Sequence, residues 1–227
     1  MKTFCFVTSF TEKYYANIGK ITLPTWKILD GDKIFLCEMD PSILDYPSEK
    51  IDIRSAIGSF HPQLQKSISK KQRKAYKFFK KAYCIWYALN TYYKKYDFII
   101  WLDTDCYINK PLNLANILPA EDELFATIIR GINACDSGIV AFNTKFPKFD
   151  SFINDYIGYY INGTIWKLNN PWDAYILEDF SKKYKIKNLY NGKPDHNSCG
   201  FLNTAVEESI THFWGRKRKI DLGNMHG

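Results

Sequence analysis

Two aspartates, one residue apart, follow the most apolar short segment of the sequence. Phe98 to Leu102 (FIIWL) predicts a buried strand, and Asp103 and Asp105 come directly after it. In open α/β sheets, ligands bind beyond the carboxyl ends of the parallel strands. Two carboxylates placed so closely repel each other, and a hard cation such as Mn²⁺ or Mg²⁺ relieves the repulsion. We therefore expect a divalent-metal site here, with a polar turn after a strand as the simpler alternative.

The composition is compatible with an anionic ligand. The 31 lysines and arginines exceed the 24 aspartates and glutamates, which gives a formal net charge of +7. A nucleoside diphosphate fits such an excess, as do nucleic acid and an acidic membrane surface. The sequence contains no nucleic-acid-binding motif, so we expect no nucleic-acid partner. Aromatic residues make up 17% of the chain, which suits stacking on a sugar or base and equally an aromatic-rich core.

The elements that must position the aspartates begin with a strand–helix–strand order. Phe4 to Thr8 and Lys33 to Cys37 predict buried strands, and residues 14–29 between them predict a helix. This order is typical of a parallel βαβ unit in a doubly wound, nucleotide-binding α/β fold. A long amphipathic helix over residues 67–95 then leads into the strand before Asp103.

The second half of the chain predicts more strands and helices around the same sheet. Strands are predicted at 124–129 and 138–142, and helices at 111–117, 147–161 and 171–184. Residues 41–62 and the tail after 184 are predicted to be irregular. With 227 residues and neither a repeat nor a linker, the sequence predicts a single domain.

The cysteines and the hydropathy indicate where such a protein would work. Six cysteines are scattered without a CxxC pair, and no segment reaches the roughly 20 apolar residues that span a bilayer. No signal-peptide pattern precedes the first strand. We expect a cytoplasmic protein in a reducing compartment. The basic run at residues 216–219 suggests peripheral contact with an anionic membrane, with a solvated tail as the alternative.

Two segments resemble a known enzyme family. The sequence from Trp101 to Asp105, continued by Asn109-Lys110-Pro111, resembles the DxD element of GT-A glycosyltransferases. Residues 135–143 (CDSGIVAFN) resemble a strand of the glycogenin and bacterial galactosyltransferase family, glycosyltransferase family 8. The resemblance implies a single GT-A domain with a mixed, mostly parallel sheet and helices on both faces. It places the nucleotide-binding half at about 1–110 and the acceptor and sugar half at about 111–227.

A third segment near the C-terminus supports the same resemblance. His212 to Arg218 is similar to the family's H-x-x-G-x-x-K motif, with Arg218 in the place of the lysine. The resemblance implies that His212 is the third metal ligand beside Asp103 and Asp105, and that Arg218 contacts the diphosphate. A lone histidine is otherwise more often structural than a ligand.

Two further aspartates are assigned to the donor sugar by the resemblance. Asp136 stands where the family usually has Asn, and Gly138 after it would let the backbone pass close to the sugar. Asp173 matches the first aspartate of the family's D-Q-D helix start, but the following Gln is Ala174 here. If the reaction inverts the anomeric centre, Asp173 or Glu178 is the expected base. If the reaction retains it, the β-phosphate takes the proton. As a plain alternative, Asp173 is a carboxylate in the first turn of a helix.

Weaker candidates complete the predicted nucleotide site. Thr8 and Ser9 end the first strand, where the related enzymes hold the base and ribose, and Thr104 lies between the two aspartates. Tyr14 or Tyr15 is the candidate for stacking on uracil. Lys81 lies on the long helix where related enzymes carry a basic residue that faces the donor. A solvated lysine is the simpler explanation for Lys81.

The sequence thus predicts a metal-dependent hexosyltransferase. Its donor would be a nucleotide diphosphate sugar, with UDP favoured, and its acceptor a hydroxyl on a glycan, glycolipid or glycoprotein. The rivals are a nucleotidyltransferase acting on sugar phosphates and a non-enzymatic carbohydrate-binding domain. A nucleotidyltransferase should carry a glycine- and lysine-rich loop after the first strand, where this chain has Ser9-Phe10-Thr11-Glu12-Lys13.

Overall fold

A seven-stranded sheet and a separate two-stranded ribbon organise the chain. The computed structural model describes residues 2–59, 70–131, 135–192 and 201–213. The strands in these ranges are β1 (Phe4–Thr11), β2 (Asp32–Glu38), β3 (Glu49–Asp52), β4 (Phe98–Leu102), β5 (Cys106–Ile108), β6 (Phe125–Ile128), β7 (Asp136–Asn143), β8 (Lys187–Asn188) and β9 (Ile210–His212).

The large sheet is mixed and mostly parallel, as predicted. Its order is β3-β2-β1-β4-β7-β6-β8, and β7 runs antiparallel to both of its neighbours. β1 pairs in parallel with β2 on one side and with β4 on the other. β1, β2 and β3 thus follow one another toward one edge of the sheet, and β4 then lies on the other side of β1. The carboxyl ends of β1 and β4 lie side by side at this switch point, where α/β folds bind ligands.

Helices of very different regularity cover the sheet. They are α1 (Glu12–Tyr14), α2 (Lys20–Thr22), α3 (Arg54–Ser59), α4 (Lys70–Tyr92), α5 (Leu114–Ile117), α6 (Phe149–Ile161) and α7 (Asp173–Ser181). A π-helical turn (Tyr15–Gly19) joins α1 to α2, and 3-10 turns lie at Leu23–Ile28, Pro41–Ile43 and Thr164–Lys167.

The central strand β4 separates two cores because successive side chains point to opposite faces. Ile99 and Trp101 pack into the core formed with α4, α6 and α7. Ile100 and Leu102 pack into the other core, which contains Trp26 from the first helical segment. All five residues of β4 are buried, which explains their continuous apolar run.

Several elements differ from the sequence-based expectation. Residues 14–29 were expected to form one helix, but residues 12–28 form a series of short α, π and 3-10 turns. Pro24 cannot donate a backbone hydrogen bond in this segment. Thr22 Oγ1 donates to Thr104 O at 2.5 Å, and Thr25 Oγ1 accepts from Ile108 N at 2.9 Å. These bonds tie the irregular segment to the chain after β4.

The sequence patterns did not predict the short strands. β3 and α3 lie in residues 41–62, which were expected to be irregular, and β8 and β9 lie in the tail. β3 is only four residues long and has no buried residue, so it has no apolar run to detect.

The described helices include none that is both long and apolar enough to span a bilayer. The five cysteines in the described ranges are buried free thiols.

Candidate functional site

Asp103 and Asp105 leave β4 in a tight turn at the switch point of the sheet. Asp103 N donates to Gly138 O of β7 at 2.9 Å, and Cys106 N donates back to Asp103 O at 3.0 Å. These backbone bonds fix the turn before any side chain contributes. As a result, two carboxylates lie at the carboxyl edge of the sheet, as the sequence predicts.

Asp105 is buried and faces His212. Its side chain is 2% exposed, and its Oδ1 lies 3.2 Å from His212 Nε2. Tyr14 OH donates to Asp105 Oδ2 at 2.8 Å. The hydroxyl of Tyr14 therefore holds a carboxylate, which the prediction of base stacking did not anticipate.

His212 reaches the aspartates through the ribbon. β5 pairs with β9 so that Cys106 lies opposite His212, and Phe213 N donates to Asp105 O at 3.0 Å. The imidazole is 3% exposed, and its Nε2 lies 4.0 Å from Asp103 Oδ2. Burial disfavours the charged ring, but the hydrogen bond and charge of Asp105 outweigh burial and raise the pKa of His212 above its usual value.

Gly138 makes room for this histidine. A Cβ at position 138 would lie 2.8 Å from His212 Cε1, 3.0 Å from Asp136 Oδ1 and 3.2 Å from Phe201 Cε1. Phe201 stacks on the imidazole with ring centroids 4.7 Å apart. Close packing of His212 therefore requires the glycine, whereas the sequence reading linked the glycine to the sugar. Phe201 was missed by the sequence reading because it belongs to no motif.

Lys81 joins the carboxylates from the other side. Its Nζ lies 2.7 Å from Asp103 Oδ1 and 3.5 Å from Asp173 Oδ2, with the lysine side chain 19% exposed. It also donates to Ser137 O at 2.9 Å and to Ser137 Oγ at 3.1 Å. Burial opposes the charge, but Asp103 and Asp173 together raise the pKa of Lys81. The simpler expectation of a solvated lysine is wrong.

Asp103 has a second donor that the sequence reading missed. Trp101 Nε1 donates to Asp103 Oδ1 at 2.8 Å. Burial, and less strongly the charge of Asp105, raise the pKa of Asp103 against the opposing effect of Lys81. An additional cation close to Asp103 would stabilise the charged form of this carboxylate.

Asp136 and Asp173 belong to the same group of charged side chains around Lys81 and Arg130. Asp136 accepts from Gly138 N at 2.9 Å and from Arg130 Nη1 at 3.1 Å. Asp173 is 1% exposed in the first turn of α7 and faces Lys81. Glu178, the other predicted base, pairs with Lys182 one turn along α7 at 2.8 Å.

The described part of this site has a surplus of negative charge. Four carboxylates (Asp103, Asp105, Asp136 and Asp173) are matched by two permanently charged side chains, Lys81 and Arg130. The excess of two negative charges is suited to a divalent cation. Arg218 and the basic run at 216–219 lie outside the described residues, so their predicted roles stay predictions.

A cavity of about 290 Å³ opens beside Asp103, between β1 and α4. Its lining residues are Ser9, Phe10, Thr11, Tyr14, Glu38, Lys80, Lys81, Trp101, Asp103 and Thr104. Four of the predicted nucleotide-binding residues, Ser9, Tyr14, Lys81 and Thr104, thus share one cavity with Asp103. Thr8 does not line it, because its buried hydroxyl pairs with that of Thr104 at 2.8 Å.

The described residues contain a set of three possible metal ligands, of which the sequence predicted only two. Asp105, Cys106 and His212 each bring a ligand atom within 4.8 Å of the others. Cys106 escaped the sequence reading because it occurs as an isolated cysteine. Burial, followed by the charge of Asp105, raises the pKa of its thiol well above its usual value.

No protein-family model and no curated protein sequence matches the chain. Solved structures do match. A glycosyltransferase involved in the glycosylation of the major capsid of PBCV-1 superposes with a TM-score of 0.56 at 13% identity, covering 97% of this chain and 98% of that one. The galactosyltransferase LgtC, solved with donor and acceptor sugar analogues, gives a TM-score of 0.53 at 13% identity, covering 93% and 87%.

A third similar structure belongs to a larger protein. The bifunctional glycosyltransferase WbbM gives a TM-score of 0.54 at 12% identity over 95% of this chain, which spans 46% of the WbbM chain. At such identities the likeness concerns the fold. The chain has a mixed α/β fold of the GT-A glycosyltransferase type.

Proposed function

We propose that this chain is a metal-dependent glycosyltransferase. It transfers a hexose from a nucleotide diphosphate sugar, with UDP favoured, to a hydroxyl group of a glycan, glycolipid or glycoprotein. The observation that carries the proposal is the convergence of Asp103, Asp105 and His212 beside a cavity at the switch point of a GT-A-type sheet.

The side chains present fit a divalent cation. Carboxylate oxygens of Asp103 and Asp105 and the imidazole of His212 are ligands that Mn²⁺ accepts, and Mg²⁺ accepts the carboxylates. The surplus of negative charge at the site supports the same assignment. When bound, the ion would neutralise the charge that develops on the diphosphate leaving group. Tyr14 would orient Asp105, and Trp101 and Lys81 would orient Asp103.

The cavity next to Asp103 is the proposed donor site. Its volume of about 290 Å³ is near the lower limit of small-molecule sites, which suits part of a nucleotide. Ser9, Tyr14 and Thr104 offer hydroxyl groups, and Lys81 offers a positive charge. Arg218 is proposed to contact the diphosphate.

Asp136 and Asp173 are proposed to hold the transferred sugar. Asp136 pairs with Arg130, and Asp173 pairs with Lys81. A carboxylate held in one orientation can accept hydrogen bonds from sugar hydroxyls with little loss of entropy. Neither Asp173 nor Glu178 lines the cavity described above.

Donor hydrolysis tests the proposal. Purified protein is incubated with a panel of UDP- and GDP-sugars and Mn²⁺ or EDTA, and the release of nucleoside diphosphate is measured. We expect release from one donor, loss of release in EDTA, and loss in Asp105→Asn. A donor that hydrolyses only with its acceptor would still bind in a Mn²⁺-dependent manner by calorimetry. If neither hydrolysis nor metal-dependent nucleotide binding occurs, the proposal is wrong.

Two further measurements separate the rivals. A nucleotidyltransferase would release pyrophosphate from a nucleoside triphosphate and a sugar phosphate. A carbohydrate-binding domain would bind glycans equally well in EDTA. The absence of a glycine-rich phosphate loop after β1 disfavours the first rival, and two carboxylates at the end of a strand serve no purpose in the second.

A further inference from the structure

Cys106 lies where it can join two of the proposed metal ligands. Its backbone is fixed on both sides, because its N–H donates to Asp103 O at 3.0 Å and its carbonyl accepts from Trp26 Nε1 at 3.0 Å. It lies directly opposite His212 in the ribbon. Side chains of directly paired residues project to the same side of a two-stranded ribbon. The thiol is therefore carried toward the imidazole by the backbone register.

The three ligand atoms are close enough for one ion. The thiol, the imidazole and a carboxylate oxygen of Asp105 lie within 4.8 Å of one another. With bonds of about 2.0–2.3 Å to sulfur, nitrogen and oxygen, the ligands of a tetrahedral zinc site are about 3–4 Å apart. Small side-chain rotations thus bring the three atoms into range.

Packing holds the imidazole of His212 next to the other two ligands. The side chain is 3% exposed, and its Nε2, the ring nitrogen that faces Asp105, lies 3.2 Å from Asp105 Oδ1. Phe201 on the ring face and the closely packed Gly138 restrict how the ring can turn away from the group.

We propose that Asp105, Cys106 and His212 form a binding site for thiophilic divalent metals such as Zn²⁺ or Cd²⁺. Three protein ligands with a fourth position open are a common zinc arrangement. A sulfur ligand favours these metals over Mn²⁺ and Mg²⁺, and the Irving–Williams order also places Zn²⁺ above Mn²⁺. The thiol proton passes to solvent as the metal–sulfur bond forms.

The site has a consequence for the proposed enzyme. Asp105 and His212 belong both to this set and to the set proposed for the hard cation, so the two metals exclude each other. Zn²⁺ and Cd²⁺ are then competitive inhibitors with respect to Mn²⁺. This consequence rests on the proposed function, whereas the thiol-containing site itself does not.

Titration of the metal-free full chain with Cd²⁺ tests the site directly. A cadmium–thiolate bond gives a charge-transfer absorption in the ultraviolet, and we expect it to saturate at one equivalent. Cys106→Ser should abolish the band. It should also weaken Cd²⁺ binding by more than the roughly 10–100-fold that follows loss of an outer-shell partner. Cys5→Ser, which replaces a buried thiol in the other core, is the matched control and should retain both.

A second variant covers the case in which Cys106→Ser does not fold. His212→Ala keeps the thiol and should reduce Cd²⁺ affinity by a similar factor. Absence of the band in the wild type, or its persistence in Cys106→Ser, would overturn the proposal. These readouts need neither nucleotide nor turnover. A failed Cd²⁺ titration with intact donor hydrolysis would therefore overturn this site alone, and the converse result would overturn the enzyme proposal alone.

Discussion

The two faces of the central sheet bring polar side chains to the same edge in different ways. On one face, the long helix α4 carries Lys81 and the regular helix α7 carries Asp173. On the other face, Tyr14 comes from a series of short turns, and His212 from a three-residue strand. Asp103 and Asp105 lie between them, the first held by Lys81 and the second by Tyr14 and His212.

The difference shows how each side chain is held in place. Lys81 and Asp173 are positioned by helices that pack against each other and the sheet, so their backbones move only if that core opens. His212 has little regular structure around it and depends on strand register, on Phe201 and on the space at Gly138. We infer that the helical face serves rigid positioning, whereas the irregular face is sensitive to small local changes.

The largest expected effect distinguishes the roles of the two faces. Asp105→Asn should abolish Mn²⁺-dependent nucleotide binding and reduce turnover by roughly 10³-fold or more, because a proposed metal ligand is lost. Asp173→Asn on the helical face should keep metal-dependent nucleotide binding and lose turnover. Calorimetry of UDP binding with and without Mn²⁺, together with kcat and KM for the donor, measures both. Equal loss of UDP binding in both variants would contradict the division of roles.

Lys81→Met should have the next largest effect, and on stability as well as activity. It leaves Asp103 and Asp173 without their shared cation, and breaking a mostly buried charge pair costs about 2–4 kcal/mol after allowance for partial exposure. Urea unfolding measures the loss. The double variant Lys81→Met/Asp173→Asn should be more stable than Lys81→Met, because it removes one of the two carboxylate charges that the single variant leaves without a cation. No recovery would show that Lys81 acts through packing alone.

The sequence predicted the two faces unequally, for physical reasons. Ala82, Ile85 and Leu89 repeat at helical spacing and are buried in α4, and the apolar run of β4 is found with the predicted bounds. Periodicity could not find β9, because three residues are too few to show a period. His212 was predicted only through its motif.

No local sequence pattern predicted the other contacts of the site. The contact of Lys81 with Asp103 depends on how α4 lies against β4, and the pairing of Cys106 with His212 joins residues 106 positions apart. Such contacts are set by tertiary packing, so the sequence around each residue does not contain them. The residue types of the candidate site could be predicted, but most of their partners could not.

Gly138→Ala tests whether the irregular face is as sensitive as the comparison suggests. The added methyl group would meet His212 at 2.8 Å and Phe201 at 3.2 Å, and overpacking of this kind costs about 1–3 kcal/mol. We expect weaker Mn²⁺-dependent UDP binding, since His212 must move. The matched control is Gly58→Ala in α3, where a Cβ meets nothing within 4 Å. This helical change should stabilise the protein by about 0.5–1 kcal/mol. Unchanged nucleotide binding in Gly138→Ala would show that His212 can shift without consequence.

Tyr14→Phe should give the smallest effect and the finest test of the comparison. It removes only the hydroxyl that donates to Asp105 Oδ2 at 2.8 Å, which costs about 1–2 kcal/mol because the acceptor is charged and buried. Asp105 then has greater freedom to rotate, so the apparent Mn²⁺ affinity should fall several-fold while saturating Mn²⁺ restores turnover. Tyr46, whose ring packs on Phe35 in the same core, offers the control Tyr46→Phe, because it removes a tyrosine hydroxyl and leaves the lining of the donor cavity unchanged. Loss of turnover that excess Mn²⁺ does not restore would mean that Tyr14 contributes to donor binding itself and does more than orient Asp105.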